Sequence, residues 1–376
     1  MSNTKIPEFT VKALWAQASG RCEFPGCNAI LYRDGLTQFR GNSSYVAHIV
    51  ADKPGGPRGD PELSPKLSTD LSNLMLLCDT HHRLIDREQV ELYGVQVLRA
   101  YKKSHEERIE RVTGIGPDLQ SFVVLYGANI GDRASPLNGV SAFEAVVSSG
   151  RYPAASEPIQ MGLHWSESRD HEPGFWEEES RNLTRQFERL VRPLLENRKA
   201  HLSVFALAPQ PLLAYLGHLL SDLFLTELYQ RHRNPDQWTW YRDTGGSLSV
   251  QAPPGEGAEA KEIALILSVS AAIDPERVTS VLGQDVPIWE IGASNPSVHF
   301  LRTREQLDEF SRVYRGALAQ IRSRHGPNAT VHVFPAVPHT MAVEIGRSCN
   351  PKVDLPLIIY DHNNRSGGFV KALEIK

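Results

Sequence analysis

Apolar residues fall in two different rhythms along this chain, and the rhythm changes near residue 115. Before that point, short amphipathic pieces are separated by turn-forming residues. Residues 8–19 (EFTVKALWAQAS) place Val11, Leu14, Trp15 and Ala18 at spacing three and four, which predicts a short helix stopped by Gly20. Residues 44–50 (SYVAHIV) read as a short strand. Residues 52–70 contain four prolines and three glycines and read as a loop. Asn73 opens the apolar run NLMLLC, and the segment from His81 to about Glu91 reads as a short helix. Residues 96–112 (QVLRAYKKSHEERIERV) predict a charged helix, with Val97, Ala100, Tyr101, Ile109 and Val112 as its inward candidates. The stretch TGIGPD at 113–118 breaks that helix and predicts a domain boundary.

Beyond it, continuous apolar segments of strand length recur: 121–126 (SFVVLY), 202–208 (LSVFALA), 263–269 (IALILSV), 331–337 (VHVFPAV) and 355–360 (LPLIIY). Helix-like segments lie between them at 176–197, 211–230, 303–323 and 339–346. Fully apolar strands alternating with helices predict a mostly parallel sheet covered on both faces. The spacing allows two βα-rich halves, about 117–250 and 251–376, joined by a loop at 242–261. No clear sequence repeat accompanies that division.

Composition narrows the picture only slightly. With 376 residues, 41% hydrophobic and 22% charged, the chain is long enough for two or three domains. No run of 18 apolar residues predicts a membrane span. The start MSNTKIPEFTVKAL lacks the parts of a signal peptide, so the expected location is the cytoplasm. The net charge of -4 is unevenly placed: residues 1–116 hold 15 Lys+Arg against 14 Asp+Glu, whereas the remainder holds 25 against 30. A nucleic-acid contact in the first part would need locally arranged charge or a partner subunit. No G-x-x-x-x-G-K-[ST] or G-x-G-x-x-G motif occurs, which disfavours a nucleotide hydrolase or an ordinary dinucleotide dehydrogenase.

The cysteines change the picture more. Three of four lie in the first quarter, too few for a disulfide scaffold and well spaced for a metal. Cys22 and Cys27 flank CEFPGC, and Cys78 and His81 form a C-x2-H pair in LLCDTHH. Two chelating pairs of this kind close around one tetrahedral zinc, which would supply folding energy to a small domain. Around them stand His48, Asn73 and His82. On a helix, His82 shares a side with Asp86, and an imidazole and a carboxylate at that spacing can hold a divalent cation.

In the order C-x4-C, AHI, N-L-x-x-L-C-x-x-H-H and Asp86, residues 15–90 resemble the HNH endonuclease family, an α+β ββα-metal fold with a structural zinc. The resemblance implies that His48 is the general base, that Asn73 positions the base-bearing loop, and that His82 and Asp86 bind a catalytic Mg²⁺ or similar cation. Many members carry a further ligand just before the base, where this chain has Ala47; Asp52, a phosphate oxygen or water would replace it. Histidine titrates near neutrality, which suits a base, and a hard cation suits phosphate oxygens. Lys53 and Arg58, in KPGGPRGD, are candidates for contacting the DNA backbone. The alternative is a zinc-ribbon-like binding module with incidental histidines.

VHVFPAVPHTMAVEIGRSCNPKVDLPLIIYDHN at 331–363 resembles the SAVED domain, in the strand ending FPAVP, the helix with AVEIGR and the late strand ending IIYD. That resemblance implies an α/β domain of two fused CARF-like Rossmannoid halves that binds cyclic oligonucleotides. The expected division is an HNH domain at 1–113, a linker at 114–120 and the sensor at 121–376. HNH followed by SAVED resembles the nuclease effectors of bacterial CBASS anti-phage systems. It implies a cyclic dinucleotide activator made by a partner CD-NTase, a homo-oligomer (a dimer assembling further on ligand binding) and double-stranded DNA as substrate. Candidate ligand contacts are Trp238, Trp240 and Arg242 in QWTWYRD, Lys261, and Pro338 and His339 beside Pro335, where a helix start offers backbone N–H groups. Two rivals remain: a restriction-type nuclease whose second domain recognises DNA, and a nucleotide-responsive DNA-binding protein without hydrolysis.

Overall fold

The computed structural model describes residues 4–34, 36–131, 135–162, 169–196, 200–242, 246–253, 260–350, 352–363 and 367–376. The chain forms two compact units, Met1–Gly116 and Pro117–Lys376.

In the first unit, strands Ser44–His48 and Leu74–Cys78 pair antiparallel, with Ser44 opposite Cys78 and His48 opposite Leu74. Helix Glu8–Gln17, the helix Asp79–Arg83 with its widened last turn Leu84–Glu88, and helix Val95–Thr113 complete the frame. The core is small: Leu14, Ala18, Leu31, Leu74–Leu77, Ile85 and Leu98. The last helix buries Leu98, Lys102 and His105, whereas Val97 and Val112 are exposed. Of the expected inward residues Tyr101 packs against the core, and the buried face is centred to one side of the expected one. The reason is polar docking: His105 Nε2 meets Ala18 O at 3.1 Å, and Arg108 donates to Asn28 Oδ1 at 2.9 Å. The loop at 52–70 contains the short helix Leu63–Leu67.

Among the described residues the second unit holds two main sheets, one in each half, and a two-stranded ribbon of His232–Arg233 with Asp236–Gln237. The first runs Tyr152–Pro153, Gln120–Gly127, His201–Leu207, Leu225–Tyr229, all parallel, with Ile159–Met161 also alongside Gln120–Gly127. The second runs Leu248–Gln251, Ile288–Ala293, Glu262–Ser268, Thr330–Ala336, Leu357–Asn363, Gly368–Ile375, parallel inside and antiparallel at both edges. The expected helix at 211–230 ends at Leu220, and its last part is strand Leu225–Tyr229.

The two halves do carry a repeat. Residues 202–220 align without a gap on 331–349, setting Val204 on Val333, Phe205 on Phe334, Pro209 on Pro338 and Gly217 on Gly346. Each segment is a central strand followed at once by a helix, Gln210–Leu220 in one half and His339–Arg347 in the other. These helices pack on each other at their glycines. A Cβ on Gly217 would lie 1.8 Å from Val343 O, and one on Gly346 would lie 1.7 Å from Ala214 O. Only glycine permits this approach, and it brings the ends of both central strands towards one shared core.

Candidate functional sites

The antiparallel pair in the first unit carries the metal donors at its end. Cys78 closes the second strand and caps the short helix Asp79–Arg83, so His81 returns beside it. The donor atoms of Cys22, Cys27, Cys78 and His81 all lie within 4.8 Å of one another. Cys78 Sγ is 3.1 Å and Cys22 Sγ 3.7 Å from His81 Nδ1. Bond lengths of about 2.3 Å to sulfur and 2.0 Å to nitrogen put the edges of a tetrahedron at roughly 3.5–3.8 Å, so the set suits one ion. Phe24 stacks on His81 at 4.1 Å and fixes the ring. Burial pushes the Cys22 thiol up to about 12, and the neighbouring thiolates add to this. Three sulfur anions here need a dication to remain deprotonated.

Asn73 sits just before the second strand and is fully buried. Its Oδ1 accepts from Val50 N–H at 2.8 Å, and its Nδ2 donates to Val50 O at 2.8 Å and Leu67 O at 3.1 Å. Its own carbonyl accepts from Ile49 N–H at 2.8 Å. One side chain thus ties down the segment that follows His48. His48 Nε2 lies 2.9 Å from Ser68 O. A carbonyl can only accept, so this nitrogen carries the proton and a neutral ring has its lone pair on Nδ1.

Strand alternation puts Tyr45 and Ala47 on one face and His48 on the other. His82 stacks on Tyr45 at 4.6 Å. Its Nε2 lies 3.2 Å from Asp86 Oδ2, which leaves Nδ1 as its second nitrogen. Burial opposes ionisation of Asp86, but hydrogen bonds from His82 and Arg58 outweigh it and hold its carboxyl below the usual range. Asp52 accepts from Thr4 Oγ1 at 2.9 Å. Among the described residues the Cys22–Cys27–Cys78–His81 group is the only gathering of three or more metal-type donors. His48, His82, Asp86 and Asp52 do not converge on one point.

The two DNA-contact candidates part company. Lys53 is exposed. The Arg58 side chain is only 6% exposed and turns inward to Asp86. Its fork also donates to Ile49 O and Ile85 O, so it cannot reach a phosphate backbone from there.

In the second unit, a cavity of about 550 Å³ opens at the C-terminal ends of the central strands of both halves, lined by Leu207, Pro335 and Ala336. Parallel α/β sheets bind ligands at such ends. Arg233, Arg277, Asp170 and Asp361 supply its charge, and the small residues Ser270–Ala272 let backbone approach. Burial, then the Asp170 charge, pushes the Asp361 carboxyl up to about 7. His339 lines this cavity, and Pro338 caps the helix there without reaching into the lining. Burial, then the charges of His232 and Arg231, drives the His339 imidazole down to about 3.

The other ligand candidates lie elsewhere. Trp238 is core, 5.1 Å edge-on to Phe205. Trp240 and Arg242 line other cavities, near Ser149 and Arg304. Lys261 is exposed and precedes its strand, at the opposite end from the cavity. Arg277 and Asp361 also line the cavity and were not among the sequence candidates; Asp361 stands directly after its apolar run in IIYDHN, whereas Arg277 lies four residues beyond Ile273 in SAAIDPER and carries no such signal. No helix among the described residues is long and apolar enough to cross a membrane.

Among solved structures, the chain is similar to the Acinetobacter baumannii Cap4 SAVED/CARF-domain containing receptor with the cyclic trinucleotide 2'3'3'-cAAA (14% identity, TM-score 0.44, covering 73% of this chain and 55% of that one). It is also similar to the Moraxella osloensis Cap4 SAVED/CARF-domain containing receptor (13% identity, TM-score 0.40, 74% and 54%). The chain thus spans little more than half the length of these proteins. No curated protein matches it. The profile described as "SMODS-associated and fused to various effectors sensor domain" matches residues 183–375. With about half its length under that profile, the two glycine-packed halves and the cavity at their strand ends, the chain belongs to the SAVED family.

Proposed function

We propose that the protein is a cyclic-oligonucleotide-activated DNA endonuclease of the HNH kind, acting as an anti-phage effector. The observation that carries the nuclease reading is the grip of Asn73 on the backbone just after His48. It joins a buried imidazole to a rigid frame while a Cys/His set stands at the other end of the same strand pair. Nothing in a purely structural zinc module needs that imidazole or the second histidine of the HH pair.

In this reading His48, its Nε2–H held by Ser68 O, takes the proton of the attacking water on Nδ1. His82 would hold the cation through Nδ1, with Tyr45 fixing its ring. Bound Mg²⁺ supplies charge neutralisation at the phosphate and at the departing 3′-oxygen. Zn²⁺ in the Cys22–Cys27–Cys78–His81 set is structural. With Ala47 where a further ligand would stand, substrate phosphate and water would supply the remaining ligands, and cation binding would be tighter with DNA present.

The messenger, a cyclic di- or trinucleotide from a partner cyclase, binds in the cavity at the strand ends. Arg233 and Arg277 meet its phosphates there. It acts by binding one state of a homo-oligomer more tightly than the other. Lys53 is the remaining exposed candidate for the DNA backbone.

The test is degradation of linear and circular double-stranded DNA by the full chain across a panel of cyclic di- and trinucleotides, with and without Mg²⁺. Cutting is expected only with one messenger class and the metal. His48→Ala is expected to abolish it while zinc content and folding persist. Full cutting by His48→Ala would overturn the assigned base, and equal cutting without any messenger would overturn the gating.

A further inference from the structure

Arg58 and Asp86 carry an inference that deepens the nuclease reading and rests on it. The Arg58 guanidinium makes four bonds, and they join two elements. Nε donates to Ile49 O at 2.8 Å and Nη2 to His48 O at 3.3 Å, both at the end of the strand that bears His48. Nη1 donates to Ile85 O at 2.6 Å and Nη2 to Asp86 Oδ1 at 2.6 Å, both on the helical segment that bears His82. Asp86 spends its other oxygen on His82 Nε2. Both of its carboxylate oxygens are thereby engaged before any cation arrives. Arg58 adopts φ +56, in the left-handed region. The turn behind it is tight, since a Cβ on Gly59 would meet Pro54 O at 2.3 Å. The loop is shaped to point this side chain inward.

We propose that Asp86 is a positioning residue for His82 and not a metal ligand, and that Arg58 is the brace that fixes the spacing between the strand of His48 and the helix of His82. A planar fork suits this role because it reaches three carbonyls and a carboxylate at once. The carboxylate in turn sets the His82 tautomer, leaving Nδ1 as the donor atom.

The rival assignment makes the opposite prediction. If Asp86 ligated the cation directly, Arg58 would be a competing positive charge, and its removal would tighten metal binding. The experiment compares wild type, Arg58→Ala, Arg58→Lys and Asp86→Asn as full chains, with zinc content and circular dichroism as folding controls. Mn²⁺ alone is titrated into each and followed by electron paramagnetic resonance, and DNA cutting is measured with messenger across Mn²⁺ concentration. Arg58→Ala is expected to bind Mn²⁺ no more tightly than wild type. Its cutting rate at saturating Mn²⁺ should fall about 10–100-fold, the usual effect of losing a residue that orients a metal ligand. Arg58→Lys, which keeps the charge and loses the fork, should recover only part of that rate, and Asp86→Asn should show a rate loss that excess Mn²⁺ does not restore. Tighter Mn²⁺ binding by Arg58→Ala, or cutting at the wild-type rate, overturns the proposal. A wild type that cuts no DNA sinks the nuclease reading instead, and the direction of the Mn²⁺ shift still decides between brace and competitor. Should Arg58→Ala lose its zinc, Arg58→Lys and Asp86→Asn carry the same comparison.

Discussion

Replacing Asn73 by alanine tests how the segment after His48 is held. The change removes three side-chain hydrogen bonds and leaves Val50 N–H, Val50 O and Leu67 O without those partners. Val50 and Asn73 are each about 1% exposed, so water does not replace them. At about 1 kcal/mol for each net bond, the loss comes to roughly 3 kcal/mol. That amounts to about a 100-fold larger open population of the segment, and hence about 100-fold faster exchange. Hydrogen exchange read by mass spectrometry on the peptide covering 44–51 measures it directly, with the second unit as an internal control. Asn73→Asp sharpens the test. It keeps the acceptor for Val50 N–H but sets a second oxygen against two carbonyls. A carboxyl there favours its protonated form, so the variant's deficit should shrink as pH falls and grow as pH rises. Exchange of the 44–51 peptide within about threefold of wild type in Asn73→Ala would refute the claim that this amide holds the loop.

Three further outcomes follow from the same geometry. Cys27→Ser, or chelation of the metal, should unfold the first unit while leaving the second intact, because metal binding at such sites is worth about 10 kcal/mol; metal analysis and limited proteolysis check it. Asp361 ionises near pH 7 in the folded chain, above its ordinary value, so the folded state holds the extra proton between about pH 4 and 7 and loses that stability as pH rises. Asp361→Asn should therefore stabilise the fold at pH 8 by about 2 kcal/mol after allowing for solvent contact, read as a higher melting temperature, with the gain fading toward pH 4. Gly346→Ala should cost about 3 kcal/mol, since the added carbon meets Ala214 O and a backbone atom cannot rotate away; a urea titration of the second unit reads it.

Much of the architecture was legible because apolar runs report burial directly. The strands at 120–127, 201–207, 262–268, 330–336 and 357–363 are each buried on both faces, and each stands out in the sequence. The strands that were missed are those with one wet side or little length. Leu225–Tyr229 follows a helix after four residues and has Leu225 exposed, so its rhythm merged with the helix. Leu248–Gln251 is an edge strand with three of its four residues exposed, and it read as loop. The repeat is hidden in the sequence for a related reason. Only four of nineteen aligned positions are identical, and the two glycines among them gain their meaning only when the helices are seen to touch. A glycine within an apolar helix is a weak signal alone and a strong one when its counterpart stands at the same offset after a matching strand.

The first unit shows what spacing can and cannot say. Cys22, Cys27, Cys78 and His81 were legible because short chelating pairs have one economical use, and their donor atoms do meet. Arg58 was not legible, because a loop rich in glycine and proline looks the same whether it tracks a phosphate chain or folds back on itself. What separates the two is an accounting of backbone acceptors. The carbonyls of His48 and Ile49 lie at and just beyond a strand end, and that of Ile85 in a widened helical turn, so regular pairing leaves all three short of donors. Such acceptors cannot be buried unpaired, and an arginine with five donors is the one side chain in that loop able to serve them together. The same residue type that suggests DNA contact in a flexible segment therefore becomes an internal strut once the neighbouring carbonyls are counted. The positive charge it brings then determines what Asp86 can still do.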